Sequence, residues 1–141
     1  MPSRLAVVVA MLGLSFGALA EAPRLGKAEA PAKAPGAIRV ATYNVLNLFD
    51  EHDDPTLSGE QDDMLSVKPE REKAALAETL QRLDADVVAL EEVESLQALR
   101  EFRDEHLQGL GYDYIVSIDA GDARGIEQSV LSRFPIREAT V

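Results

Sequence analysis

Residues 87–92 read Val-Val-Ala-Leu-Glu-Glu, an unbroken apolar run that ends in two carboxylates. A short apolar run of this kind after a helical pattern predicts a strand buried on both faces of a sheet. A carboxylate at the end of such a strand is costly to bury unless it is paired or holds a cation. Glu92 is therefore a candidate ligand for a hard cation such as Mg²⁺. The alternative is that Glu91 or Glu92 only caps the following helix.

The segments on either side of this run predict alternating strands and helices. Pro69 opens an amphipathic pattern, and Ser95 precedes a second one as its predicted cap. The predicted strands are residues 38–43, 87–90, 112–118, 126–131 and the start of one at 136–141, and the predicted helices are residues 69–83 and 95–106. This order predicts an α/β fold whose later strands pair in a mixed or antiparallel way.

Asn44 comes at or just beyond the carboxyl end of the first predicted strand. Ligands of open α/β sheets gather beyond the carboxyl ends of the strands. Because one long crossover joins the strands that lead to Asn44 and Glu92, we expect these two side chains to be neighbours.

Residues 46–67 form an acidic segment without periodicity. A solvated loop is the favoured interpretation, and a calcium site is the alternative, although the spacing of its acids does not match the calcium-loop pattern. The chain has two histidines, His52 and His106, and each is predicted to be an ordinary surface residue.

Three regions are predicted along the chain. Residues 1–20 carry one cation, Arg4, followed by an uncharged apolar run, which is typical of a secretory signal peptide cleaved after Ala20. An uncleaved membrane segment is the alternative, but the run is short for a span of about 20 residues. Residues 21–36 are rich in Ala, Pro and Lys and predict a flexible linker, so the folded part is residues 37–141. We expect a secreted or periplasmic protein without stable membrane association after cleavage.

Composition limits the classes of function. The chain has no cysteine, which excludes thiol redox chemistry and disulfides. Its formal charge is −11, and cleavage after Ala20 makes it −12 because the segment removed contains Arg4 and no acid. An acidic surface argues against a protein that coats nucleic acid through basic patches. It leaves room for an enzyme that meets one phosphate at a time through a metal.

Four stretches together resemble the endonuclease/exonuclease/phosphatase family. They are residues 42–50 (TYNVLNLFD), 89–94 (ALEEVE), 122–126 (DARGI) and 131–136 (LSRFPI). Their order and spacing also resemble those of the family, and the likeness extends from about residue 38 to residue 141.

The resemblance implies the N-terminal portion of a two-sheet α/β sandwich, with mixed sheets flanked by helices, that hydrolyses phosphodiesters or phosphomonoesters. It implies Glu92 as the metal ligand and Asn44 as a catalytic residue that orients the phosphate or a catalytic group. Mg²⁺ is the expected metal, with Mn²⁺ or Ca²⁺ as alternatives. Arg124 is a candidate for the substrate phosphate because its planar donors suit that group, and a surface arginine is the alternative. The substrate is a phosphate ester, with nucleic acid among the candidates.

The chain also departs from the family pattern. The family's later aspartate and asparagine pair and its histidine near the carboxyl terminus are absent, and residues 127–129 (EQS) replace a more usual aspartate and apolar residues. We therefore expect an inactive fragment whose missing second sheet leaves an apolar face exposed and lowers solubility. The alternatives are a small exported acidic binding protein with a non-catalytic metal or phosphate site, and an acidic domain that shares only the scaffold.

Overall fold

The structure is a computed structural model that describes residues 30–58 and 63–140. The predicted signal peptide, residues 1–20, and the first part of the predicted linker lie outside the described residues. Within the described residues, no helix is both long enough and apolar enough to cross a membrane.

The described residues form four strands and two helices. In chain order these are β1 (Val40–Leu48), α1 (Glu70–Leu83), β2 (Val87–Val93), α2 (Leu96–His106), β3 (Tyr114–Ile118) and β4 (Glu127–Ser132). A single 3-10 turn at Asp63–Leu65 precedes α1.

The strands form one mixed sheet in the order β1-β2-β4-β3. β1 runs parallel to β2, and β4 is antiparallel to both β2 and β3. The prediction of an α/β fold with antiparallel pairing among the later strands is therefore confirmed. A second sheet is not found among residues 30–58 and 63–140, so the two-sheet sandwich stays an expectation from the family resemblance.

Both helices begin and end where local chemistry favours it. Pro69 occupies the cap position of α1, and Asp84 ends that helix in the left-handed conformation with φ of 44°. Ser95 caps α2, because its hydroxyl accepts a hydrogen bond of 3.0 Å from the backbone N–H of Ala98. The predicted Ser95 cap is confirmed, and α1 begins one residue after Pro69, which was predicted as its first residue.

β2 lies at the centre of the hydrophobic core. Val88, Leu90 and Val93 are each at most 1% exposed, and the two helices cover this face of the sheet. Other core members come from both helices, β1 and β4: Val45, Leu48, Leu76, Leu80, Leu99, Phe102 and Leu131. The amphipathic patterns predicted for the two helices are confirmed at Leu76, Leu80, Leu99 and Phe102, whereas Leu96, at the start of α2, is 38% exposed.

Several predicted boundaries were wrong. β2 continues three residues beyond its predicted end at residue 90 and includes Glu91 and Glu92. β1 continues five residues beyond its predicted end at residue 43, because an irregularity in its pairing with β2 carries the strand on to Leu48. The last predicted strand does not form over residues 136–140, which have no regular structure.

Charged side chains meet around Asp86, at the amino end of β2. Asp86 accepts hydrogen bonds from Lys33 Nζ at 2.7 Å, from the Arg39 backbone N–H at 2.8 Å and from Arg133 Nη1 at 3.1 Å. Its side chain is only 10% exposed. These contacts join residues before β1, the residue directly before β2 and the residue after β4. Whether the predicted linker, to which Lys33 belongs, is flexible stays a prediction.

We predict that Asp86→Asn destabilises the fold in a pH-dependent way. The Arg39 N–H and the Lys33 ammonium hold the pKa of Asp86 well below its usual range. The ionised carboxylate therefore adds stability above about pH 4, and this is lost as the pH falls through the lower folded-state pKa. Thermal melts should show a lower Tm for the variant at pH 7 and a narrowing gap below pH 4.

Asp84→Asn is the matched control. Asp84 contacts the same cations, but its side chain is 51% exposed, and asparagine tolerates its left-handed backbone. The variant should lose less stability than Asp86→Asn. An equal loss in both would show that Asp86 has no special place in the network.

The sheet face opposite the helices carries apolar side chains. One row across all four strands consists of Thr42, Ala89, Val130 and Val116. Val40, one position away along the same face of β1, is 70% exposed. No helix of the described residues covers this face. Some apolar surface, above all Val40, is therefore exposed on this face in the residues that the structure describes, and the apolar face expected from a missing second sheet stays a prediction.

We predict that this face causes self-association, because contiguous exposed apolar surface favours aggregation. Val40→Lys should lower the light scattering of concentrated samples without changing Tm. Leu65→Lys is the control, since Leu65 is equally exposed, at 75%, but lies in the 3-10 turn. A wild-type chain that stays monomeric and melts in a sharp, cooperative transition would contradict the prediction.

Candidate active site

The ladder between β1 and β2 becomes irregular at its carboxyl end. Asn44 pairs with Glu91, and the next paired residues are Leu48 and Val93, so three residues of β1 lie opposite Glu92 alone. Glu92 has a φ of 65°. A non-glycine residue in this conformation carries strain on the order of 1–3 kcal/mol. The irregularity takes Glu92 out of the regular alternation of side chains along β2.

Asn44 is held by the same irregularity. Its Oδ1 accepts a hydrogen bond of 2.8 Å from the backbone N–H of Leu46, which has a φ of 54°. The buried ammonium of Lys68 donates to the carbonyl of Leu46 at 2.9 Å and supports this turn. Because Oδ1 is used locally, the amide of Asn44 offers its NH₂ group as a donor. Asn44 lies inside β1, not at or beyond its end as the sequence predicted.

Glu91 lies beside Asn44 and is oriented by a neighbouring strand. The Thr42 hydroxyl donates to Glu91 Oε1 at 2.8 Å across the β1–β2 pair. Both carboxylates of the pair Glu91 and Glu92 line the same cleft. Only Glu92 was predicted from the sequence as a site residue. Glu91 is identified by the residues beside it on β1, Thr42 and Asn44, which the pairing of β1 with β2 brings next to it.

Arg124 enters from the loop between β3 and β4, where Asp122 fixes it. Its Nε and Nη2 atoms donate to the two carboxylate oxygens of Asp122 at 3.1 Å and 3.0 Å. This pairing raises the pKa of Arg124, and the more distant Glu92 acts in the same direction. It also holds the pKa of Asp122 below its usual value. Asp122 is a second cleft residue that was not predicted from the sequence as a site residue.

These side chains line one open cleft of about 420 Å³ at the carboxyl end of β2. The cleft is lined by Asn44, Glu91, Glu92, Ala120, Gly121, Asp122, Arg124, Ile126 and Gln128. The structure therefore brings together the three residues selected from the sequence, Asn44, Glu92 and Arg124. Their chemical roles stay predictions.

Next to this cleft, three acidic side chains lie close together and largely out of solvent. Asp63 is 2% exposed and Asp50 is 9% exposed. Glu94 Oε2 accepts a hydrogen bond of 2.8 Å from the Asp50 backbone N–H, and Asp63 accepts one of 2.7 Å from the N–H of Asp54. The acidic segment is thus not uniformly solvated, because two of its acids are folded inward.

The proximity of these acids changes the ionisation of Glu94. Burial raises the pKa of Glu94 to about 7, and the negative charges of Asp50 and Asp63 act in the same direction. The hydrogen bond from the Asp50 N–H opposes the shift but does not cancel it. Glu94 therefore changes its charge near neutral pH.

Neither histidine lies in the cleft. His52 is a surface residue, as predicted, with a side chain 63% exposed. The side chain of His106 is only 11% exposed and packs against the ring of Phe102, so the surface prediction was wrong for this residue. His52, Asp50 and Glu101 each offer one ligand atom, and these atoms lie within 4.8 Å of one another.

A family model described as the endonuclease/exonuclease/phosphatase family matches residues 41–141, which include every residue that lines the cleft. The chain belongs to this family. Endonuclease/exonuclease/phosphatase proteins act on phosphate esters or nucleic acids and generally depend on a divalent metal. No curated protein and no solved structure gives a significant match.

We predict that Glu94→Gln makes the fold more stable at alkaline pH. The folded-state pKa of about 7 lies above the usual value of 4.5, so the folded chain keeps a proton that the unfolded chain has lost. Wild-type stability should therefore fall as the pH rises from about 4.5 through 7. Glutamine imitates the protonated acid, and this dependence should be reduced in the variant.

The measurement is Tm against pH for both proteins. The two curves should meet near pH 4, and the variant should melt at a higher temperature at pH 8. A variant that is less stable than wild type at pH 8 would show that the ionised carboxylate is stabilised by its surroundings.

Proposed function

We propose that this chain contributes the first part of an exported, metal-dependent phosphoesterase of nuclease or phosphatase type, which hydrolyses phosphodiester or phosphomonoester bonds. The observation that carries the proposal is the cleft that joins Asn44, Glu92 and Arg124 within the segment matched by the family model. The cleft combines carboxylates that can bind a cation with hydrogen-bond donors that can bind an anion.

The residues of the cleft fit a divalent metal. Glu91 and Glu92 offer carboxylate oxygens, and hard cations such as Mg²⁺ prefer one or two carboxylates with retained waters. Within the described part of the chain, no side chain or backbone N–H donates a hydrogen bond to the Glu92 carboxylate, and its strained backbone favours a functional explanation. We assign Glu92 as the principal ligand and Mg²⁺ as the metal, with Mn²⁺ or Ca²⁺ as alternatives. A bound metal would polarise a phosphoryl oxygen and neutralise developing negative charge.

Asn44 and Arg124 supply donors for the phosphate. The NH₂ group of Asn44 is directed by the local bond of its Oδ1 and is suited to a phosphoryl oxygen. The guanidinium of Arg124 uses two of its donors for Asp122, and the remaining N–H groups can meet a second oxygen. Because Asp122 restricts the side chain, less conformational entropy is lost when Arg124 binds an anion.

Net charge makes these donors necessary. A chain with a formal charge of −11 repels a polyanion at long range. Binding of a phosphate ester must therefore depend on local positive charge, from Arg124 and a metal at Glu92. Such a site takes one phosphate group at a time, which suits a phosphodiester in nucleic acid as well as a small phosphomonoester.

Export is the second part of the proposal. It is supported by the single cation Arg4 and by the uncharged apolar run that follows it to residue 20. A periplasmic or extracellular location follows from it. The absence of cysteine agrees with either compartment, because the fold needs no disulfide.

One observation favours a second candidate function, a binding protein with a non-catalytic metal or phosphate site. Neither histidine of the chain lies in the cleft, and the aspartate and asparagine pair implied by the family resemblance is not in the sequence. Turnover by these 141 residues alone is therefore not expected under either candidate. A hydrolysis assay on a chromogenic phosphodiester with Mg²⁺ tests this expectation, because turnover would show that the chain is active by itself and would contradict both candidates.

We predict that Glu92→Gln weakens binding of Mn²⁺, used as a probe for Mg²⁺, by more than about tenfold. The amide keeps the shape of the side chain but removes the charge that a hard cation needs, and loss of an outer-shell partner alone costs about 10–100-fold. Calorimetric titration of the chain measures the affinity.

Glu78→Gln is the control for net charge. Glu78 lies on α1 in an exposed pair with Arg82, away from the cleft. It should leave Mn²⁺ affinity within about twofold. Equal affinities for wild type and Glu92→Gln would remove the basis for a metal in the cleft.

A further inference from the structure

A second group of possible metal ligands lies outside the cleft. It consists of Asp50, two residues after the end of β1, His52 in the same loop, and Glu101 on α2, and we call it the His52 cluster. His52 Nδ1 is 3.1 Å from Asp50 Oδ1 and 3.8 Å from Glu101 Oε2. None of the three residues lines the cleft that contains Glu92.

These distances match the spacing of ligands around one small cation. Zinc bonds to nitrogen and carboxylate oxygen are about 2.0–2.2 Å long, and a tetrahedral arrangement then places ligand atoms about 3.3–3.6 Å apart. The separations of 3.1 Å and 3.8 Å lie just below and just above this range, and the Asp50 and Glu101 oxygens lie within 4.8 Å of each other. A cation could therefore be accommodated by small side-chain rotations, and water would complete its coordination.

We propose that Asp50, His52 and Glu101 bind a divalent transition-metal ion, with Zn²⁺ as the expected ion, at a site separate from the Glu92 cleft. Its imidazole ligand distinguishes it from an oxygen-only site, because imidazole suits zinc and copper whereas carboxylate and carbonyl groups alone suit magnesium and calcium. The ion connects the acidic loop after β1 to α2.

The acidic residues around the His52 cluster create a negative electrostatic potential that favours the binding of a cation. Asp50 and His52 line a depression on this side of the molecule that contains no lysine or arginine among its lining residues. Its acidic members are Asp50, Asp53, Asp54, Glu94, Asp119, Asp122 and Glu127. This concentration of one sign of charge attracts cations and repels anions. The imidazole of His52 is the feature that would select a transition metal among them.

Local hydrogen bonds already orient two of the ligands. Asp50 Oδ1 accepts the backbone N–H of His52 at 2.6 Å and lies 3.1 Å from its ring nitrogen. Gln97 donates to Glu101 Oε1 at 3.1 Å, which leaves Oε2 toward His52. A metal would replace the contact between Asp50 and the ring nitrogen, and the neutral ring would carry its proton on Nε2 instead.

The test is calorimetric titration of the chain with ZnCl₂ at pH 7.5 in excess Mg²⁺, which competes for oxygen-only sites. Wild type should bind one Zn²⁺ per chain. His52→Ala and Glu101→Gln should each weaken binding by more than about tenfold. Because His52 is 63% exposed, its replacement should not disturb packing. Zinc should also raise the Tm of wild type and not that of His52→Ala.

His106→Gln and Glu92→Gln are the matched controls. His106 Nε2 lies 3.6 Å from Glu70 and 3.8 Å from Glu105, so it represents the other histidine with acidic neighbours. Both controls should keep wild-type zinc affinity. Absence of zinc binding by wild type, or binding that survives His52→Ala, would overturn the proposal. A loss in His106→Gln alone would place the zinc at the other histidine. Because Glu92→Gln removes a ligand of the cleft and not of the His52 cluster, the proposal for each site can be contradicted without affecting the other.

Discussion

The pairing of β2 with β1 on one side and β4 on the other is the constraint on which the rest of the structure depends. β2 is parallel to β1 and antiparallel to β4. A parallel neighbour requires a crossover, which α1 supplies, whereas the antiparallel neighbour returns through α2 and β3. Both helices then cover the face that carries Val88 and Leu90, and burial of that face stabilises the central strand.

The candidate active site lies at the irregular end of the β1–β2 ladder, next to this stable centre. Positive φ values at Leu46, Asn47 and Glu92 are unfavourable, at roughly 1–3 kcal/mol each. They persist because paired strands and buried side chains on either side, Leu48 and Val93, fix the backbone. The same distortion holds the Asn44 amide and gives Glu92 its position at the end of the strand. Strain here coincides with the residues that the family resemblance selects.

Sequence patterns predicted those parts of the fold that depend on local chemistry. The proline start of α1, the Ser95 cap and the apolar run at the centre of the sheet act within a few residues of chain, so their patterns are readable. The insertion of β4 between β2 and β3 depends on contacts between distant residues, which a single sequence does not display. Glu91 and Asp122 were missed for the same reason. Their hydrogen-bond partners, Thr42 and Arg124, are identified only by the three-dimensional structure. His106 was misjudged because a polar residue at the end of a helix was expected to be exposed, although it lies one helical turn after Phe102 and contacts its ring.

The two ends of β2 deal with negative charge in opposite ways. At its amino end, Asp86 is neutralised from within the chain by Lys33, Arg39 and Arg133. At its carboxyl end, Glu91, Glu92 and Glu94 follow one another, and the cations nearby are already committed: Lys68 to a backbone carbonyl and Arg124 to Asp122. Burial raises the pKa of Glu94 to about 7 although it accepts a hydrogen bond from the Asp50 N–H. The lysine and arginine side chains among the described residues therefore neutralise the carboxylate at the amino end of the central strand, whereas those near its carboxyl end are engaged by other groups.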